Sequence, residues 1–142
     1  MDVHKQVKGR KRHLAVDTLG LIIAVVVHCA GLQDRDGAKL VCEKLQGRFP
    51  RLKLIWADGA YTAVVGWVAA FAGWVLEIVK HSVPVHTFVV LPRRWVVERT
   101  FAWLMKFRRL SRDYEETSRS SEAWIRIAMI HIMARRLAPC SA

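Results

Sequence analysis

The chain is 142 residues long and 53% hydrophobic, enough for one domain with a real core and too short for two ordinary ones. Lysine and arginine total 23 against 12 aspartate and glutamate, a formal charge of +11, and such an excess favours a polyanionic partner, nucleic acid ahead of an anionic membrane surface. Cys29, Cys42 and Cys140 are an odd count without paired spacing, which points to a reducing compartment and excludes a disulfide framework.

The N-terminus is basic and polar, without the apolar run of a signal peptide. No stretch reads as a membrane span: the run from Leu19 to Leu32 is too short, and the last apolar helix carries Arg126 and His131. The expected setting is the cytoplasm of a bacterium or archaeon. Residues 1–12 read as a basic arm holding Lys5, Lys8, Arg10, Lys11 and Arg12, either solvated or touching a nucleic-acid backbone; the domain follows over 13–142.

Arg12, Leu14 and Val16 alternate with His13, Ala15 and Asp17, a strand pattern. Asp17-Thr18-Leu19-Gly20 has the residue preferences of a type I turn. Leu21 to Val27 is a continuous apolar run and reads as a buried strand, completing a hairpin. Asp34 or Asp36 can cap the next helix, whose stripe is Ala38, Val41, Cys42 and Leu45; Gly47 and Pro50 end it. Cys29 and Cys42 fall in apolar surroundings that suit core packing, and His28 suits a hydrogen-bonded core position.

Leu52 to Ala57 returns to strand, with Leu52, Leu54 and Trp56 on one face. A strand, a helix and a strand make a crossover unit, so this strand should run parallel to a neighbour. Asp58-Gly59 stops it. Thr62 to Trp74 reads as a helix and Leu76 to Val79 as a short last strand. The histidines and cysteines show no paired metal spacing, so no zinc site is expected.

Pro92 can open a helix, since its missing N–H is one of the orphan donors of the first turn. Val97, Phe101 and Leu104 form the docking stripe of that helix, which is expected to run to about Arg109. Arg94 and Glu98 stand four apart on one face, among Arg93 and Arg99. A surface ion pair would explain that spacing, worth a few tenths of a kcal/mol; so would a metal-binding carboxylate with an arginine beside it for phosphate. Asp58 has the same two readings, a turn residue that needs no metal or a metal ligand at a strand's carboxyl end, where sites form in open α/β sheets. Ser121 can cap a last helix with the stripe Ile125, Ala128, Met129 and Ile132, which should pack as core or as a partner-facing surface.

Four stretches stand out together: Lys8-Gly9-Arg10-Lys11-Arg12-His13, Gln33-Asp34-Arg35-Asp36-Gly37-Ala38, Trp56-Ala57-Asp58-Gly59-Ala60-Tyr61, and Phe88 to Leu104 around Glu98. With them the chain resembles bacterial insertion-sequence transposases of the fifth insertion-sequence family, which carry a DDE catalytic core. The resemblance implies a ribonuclease H-like α/β fold, a mixed sheet with flanking helices. It implies that Asp58 is the second aspartate and Glu98 the glutamate of the set, holding Mg²⁺ or Mn²⁺, and that Arg94 is the signature arginine. DNA, as insertion-sequence ends and target, is the implied partner, with Arg93, Arg94, Arg99, Lys8, Arg10, Lys11 and Arg12 as phosphate contacts and a homo-oligomer in the full-length enzyme.

The chain departs from the pattern in three places. Leu91 stands where the signature has tyrosine, and Met105, with Lys106 next, where it has lysine. The strand with the first catalytic aspartate lies upstream of the basic stretch in the family; Asp17 reads as a turn residue and Asp2 has no strand pattern around it. The sheet is therefore expected to lack its first strand, and the chain to be a C-terminal portion, from a decayed copy or the second frame of a frameshifting element, with little activity alone. The alternative is a non-catalytic DNA-binding remnant that modulates transposition; a third is an unrelated basic module, such as one binding RNA.

Overall fold

The structure, a computed structural model, describes residues 9–79 and 94–139. Its centre is a hairpin. Strands β1 (Arg10–Val16) and β2 (Ile22–Cys29) pair antiparallel, with Leu14 opposite Val25. β1 thus begins at Arg10, inside the segment read as a basic arm. The turn forms as its residues dictate: the Gly20 N–H donates to the Asp17 carbonyl at 3.0 Å, and Asp17 Oδ1 accepts from the N–H groups of Leu19 and Leu21, each at 2.9 Å. Gly20 has φ +82°, in the left-handed region open to glycine.

β2 reads as a continuous apolar run because both its faces are buried. Ala24 and Val26 face one core with Val41, Cys42 and Leu45 of α1 (Asp34–Leu45), Val64, Val68, Trp74 and Leu76. Val25 and Val27 face a second core with Leu104, Leu110, Ile125 and Ala128. The hairpin is the middle layer between two helical layers.

On the first side, neither Asp34 nor Asp36 caps α1. The N-cap is Gln33, which makes no side-chain cap bond, and both aspartates lie in the first turn, where negative charge suits the helix dipole. β3 (Leu54–Ala57) runs parallel to β4 (Val75–Ile78). A 3-10 turn, Gly59–Val64, and α2 (Val65–Ala72) make the crossover between them. Ile55 and Ala57 of β3 pack into the core, while Leu54 is exposed and the Trp56 indole N–H donates to Glu77 at 3.1 Å. The mixed sheet is not continuous among the described residues: β1–β2 and β3–β4 are two separate ladders that share the first core. Cys42 is buried as expected, but Cys29, at the end of β2, is exposed.

On the second side lie α3 (Arg94–Met105), a 3-10 turn at Arg108–Leu110, and α4 (Ser118–Leu137). α3 stops at Met105, short of Arg109, because the chain tightens into that turn; Pro92, its expected opener, lies outside the described residues. Thr117 caps α4, its side chain accepting from the Ser120 N–H, and Ser121 is buried instead. The stripe Ile125, Ala128 and Met129 packs as core. No helix of the described residues is long and apolar enough to cross a membrane.

Glu122 fastens the three layers. Its Oε1 accepts from the Val27 N–H at 3.0 Å, and its Oε2 from Lys44 Nζ at 2.8 Å; the same ammonium donates to the Val25 carbonyl at 2.8 Å. One carboxylate and one ammonium so pair the Val27 N–H and the Val25 carbonyl on the outer edge of β2, two groups that would otherwise lack partners. Glu122→Ala removes a charged acceptor from both donors and should cost about 1.5–3 kcal/mol, read as a lower urea midpoint with an unchanged slope.

Candidate active site

Asp58 follows directly on β3, at its carboxyl end, and opens the 3-10 turn. Its Oδ1 accepts from the Ala60 N–H at 2.9 Å. That bond is the turn role which Asp-Gly suggests, and it also fixes the direction of an exposed carboxylate. Beside it stands Tyr61, whose hydroxyl lies 2.9 Å from His13 Nδ1 on β1. Burial, and after it the negative charges of Asp58 and Asp34, push the Tyr61 hydroxyl up to about 12. Tyr61 and His13 therefore tie the Asp58 turn to the middle of β1, across the break between the two ladders.

His13 is one half of a buried pair. Its ring stacks on that of His28, centroids 4.7 Å apart, and His28 Nδ1 lies 2.8 Å from the Cys29 carbonyl oxygen, the hydrogen-bonded core position expected for it. The Nε2 atoms of both rings are buried without a partner. They converge on Gly37 of α1: a Cβ added there would meet His13 Nε2 at 2.5 Å and His28 Nε2 at 2.7 Å.

Glu98 is exposed on α3, one turn past Arg94, the first residue of the helix. α3 is held by its neighbours in sequence. The Thr100 hydroxyl, fully buried, donates to the Gly20 carbonyl at 2.6 Å, and Arg99 donates to the Leu19 carbonyl at 2.9 Å. A Cβ on Gly20 would meet Thr100 Oγ1 at 2.9 Å, so the hairpin turn and the helix touch backbone to side chain. Arg99 is also stacked between Trp95 and Trp103, its guanidinium 4.4 and 4.8 Å from their ring centroids, and Arg136 covers Trp103 at 4.5 Å. Thr100 was legible as a polar residue in line with Val97 and Leu104, and Tyr61 as part of the Trp56–Tyr61 stretch. Their partners were not legible, since both contacts span long sequence separations.

The basic candidates divide. Arg10 donates to Asp113 and to the Glu115 and Glu116 carbonyls, Lys11 pairs with Asp34 at 3.0 Å, and Arg12 donates to the Leu110 carbonyl at 2.9 Å. These side chains, with Arg99, tie elements of the fold together, so a phosphate would have to compete with bonds already made. Lys8 and Arg93 lie outside the described residues, as does the Arg94 side chain. Lys106, Arg135 and Arg136 line an open cleft of about 350 Å³ with Trp103, Phe107 and His131. None of these three cations is in an ion pair among the described residues.

Asp58 and Glu98 offer hard oxygen donors, the chemistry that Mg²⁺ takes. Among the described residues no three His, Cys, Asp or Glu side chains gather around one point, so these residues do not make a complete three-ligand set.

Asp58 at a strand end and Glu98 on a docked helix are the two carboxylates that the sequence singled out. The family model described as transposase DDE domain matches residues 1–133. The chain belongs to that family of DDE transposases, whose substrate is DNA. No curated protein and no solved structure matches it significantly.

Two measurements probe this region. Burial, then the neighbouring His28, holds the His13 pKa below its usual 6.5; Lys11 acts in the same sense and Asp34 against it. The folded state so prefers neutral His13 while the unfolded chain binds the proton. Stability is complete above pH 6.5 and is lost as pH falls through the lower folded value; thermal midpoints from pH 7 down to about 5.5 should show the decline, and His13→Gln should flatten it. Gly37→Ala forces a methyl against two buried rings and should cost about 1–3 kcal/mol in urea unfolding.

Proposed function

We propose that this chain is the C-terminal catalytic portion of an insertion-sequence transposase of the fifth family, built on a ribonuclease H-like sheet that lacks its first strand. The observation that carries the reading is the position of Asp58 at the carboxyl end of β3, within a family match that spans residues 1–133. The strand pairing supports it: Glu122 and Lys44 take the Val27 N–H and the Val25 carbonyl on the outer side of β2, whereas β1 pairs on one side alone among the described residues. An extended segment with the first aspartate, supplied from outside this chain, would lie along that edge of β1 and beside β3. It would come from a second reading frame joined by frameshifting; in a decayed copy it is lost.

In the completed enzyme Asp58 and Glu98 would hold Mg²⁺ or Mn²⁺. When bound, the metal lowers the pKa of an attacking water and stabilises the leaving oxygen in phosphodiester cleavage and strand transfer. The residues of this chain do the positioning. The Ala60 N–H orients Asp58, and Thr100 and Arg99 dock the helix that carries Glu98; by the resemblance, Arg94 and Arg93 would contact the phosphate. Insertion-sequence ends and target DNA are the substrates, in the cytoplasm of a bacterium.

The charge of +11 also favours a second reading, a DNA-binding remnant that modulates transposition without catalysis. Binding that ignores Mg²⁺ and is unchanged by Asp58→Ala or Glu98→Ala supports that one.

The purified chain should not nick supercoiled DNA in Mg²⁺ or Mn²⁺. Fused to the product of an upstream frame with an aspartate-bearing strand, it should excise its element, and Asp58→Asn or Glu98→Gln should each lower that by at least about a hundredfold. Nicking by the unfused chain that Glu98→Gln abolishes would refute the split-enzyme reading.

A further inference from the structure

Two clefts meet where the end of α3 lies against the second half of α4. The first, of about 350 Å³, is lined by Lys106, Arg135 and Arg136 with Trp103. The second, of about 280 Å³, holds Arg108 and Arg109 beside Trp124. Phe107 and His131 line both, so the two form one groove. No aspartate or glutamate lines it among the described residues. Arg109 is paired with Glu115 at 2.7 Å. Lys106, Arg108, Arg135 and Arg136 are in no ion pair among the described residues.

Aromatic rings hold two of the guanidinium groups in place. Arg136 lies over Trp103 at 4.5 Å, and Arg109 over Trp124 at 4.7 Å. Arg99 also stacks on Trp103, at 4.8 Å. An indole whose face carries a guanidinium is not open to a nucleic-acid base; it fixes the cation instead. Cations in the last turn of α4 suit the helix dipole as well. That accounts for a charge at Arg136, but not for its being held by a ring of the neighbouring helix.

We propose that this groove takes the phosphate backbone of duplex DNA and reads no base. It does so in place of Arg10, Lys11 and Arg12, whose side chains are bonded within the fold. A concave channel between two packed helices admits a phosphodiester ridge and keeps out a flat bilayer, although both are polyanions that attract cations. Lys106 stands eight residues beyond Glu98, roughly 12 Å along the axis of α3. A DNA strand covers that distance in about four nucleotides, so the groove and the glutamate serve one short stretch of one duplex. The identity of the polymer rests on the transposase reading; the place of the groove does not.

Fluorescence anisotropy of a short labelled duplex with the purified chain, in EDTA, tests this. Affinity should be equal for unrelated sequences and should fall steeply with salt. Lys106→Gln with Arg135→Gln, both exposed, should weaken binding by about thirtyfold at physiological salt and lower the slope of log affinity against log salt by about two. Adding Arg136→Gln should bring the loss to about a hundredfold. Arg48→Gln with Arg51→Gln removes the same charge from the exposed segment after α1 and should cost less than about threefold. Far-UV circular dichroism should be unchanged in all. An equal loss in the Arg48 and Arg51 pair, an unchanged slope in the groove variants, dependence on base sequence, tighter binding of an RNA duplex, or displacement of the DNA by phosphatidylserine vesicles at equal phosphate would overturn the proposal. The binding readout needs no cleavage. Groove variants that lose binding, beside a fused enzyme that excises nothing, would sink the transposase reading and leave the groove; excision abolished by Asp58→Asn, with binding unmoved by the groove variants, would do the reverse.

Discussion

The hydrogen bond from Thr100 to the Gly20 carbonyl sets where the glutamate helix lies. It joins the backbone of a tight turn to a side chain in the middle of α3, at 2.6 Å and fully buried. A short buried bond of this type tolerates little sliding, because moving the helix by a turn would leave a carbonyl unpaired in the interior. Arg99 repeats the constraint one residue earlier, at the Leu19 carbonyl. Glu98 is the next residue toward the N-terminus. Its exposed carboxylate is therefore placed by the hairpin turn, and the hairpin in turn by Glu122 and Lys44. The turn sequence Asp17–Gly20, unremarkable as chemistry, is part of the machinery that aims Glu98.

The distribution of positive charge changes how the basic opening is read. A run such as Arg10-Lys11-Arg12 invites a nucleic-acid reading, yet the side chains point alternately to the two faces of β1. Arg10 and Arg12 reach the 108–116 segment on one side; Lys11 reaches α1 on the other. Each ties β1 to an element packed beside it. The excess charge open to a polyanion lies elsewhere, in part around the cleft of Lys106, Arg135 and Arg136. Net charge identifies a class of partner; it does not say which residues meet it.

Much of the fold was legible because it follows from periodicity. The hairpin, the buried β2, α1 and the α4 stripe follow from alternation, helical spacing and turn chemistry; β3 does run parallel to a neighbour, but to β4 across α2 and not to β2 across α1. Element ends were less legible: Thr117 rather than Ser121 caps α4, and α3 stops at Met105, since competing polar residues near a helix end are separated by geometry and not by type. The site was legible only as residue identities. Asp58 and Glu98 came from a resemblance, and the interactions that hold them, Tyr61 with His13 and Thr100 with Gly20, join residues 48 and 80 positions apart. No local pattern encodes such pairings. The division of the sheet was equally hidden, because a strand's own sequence does not say how many neighbours it has.

That division bears on how the two carboxylates relate. The hairpin is linked to both: Tyr61, three residues past Asp58, meets His13 of β1, and α3 docks on the turn that follows β1. An odd-numbered residue of β1 faces α1 and an even-numbered one faces α3 and α4, so the strand transmits position to both sides of the layer. A strand added beside β1 would contact the Asp58 turn and extend the ladder in one step, at a place where backbone groups gain partners. Each apolar core closes on one face of β2, so the strand at the centre of the fold is held from both sides.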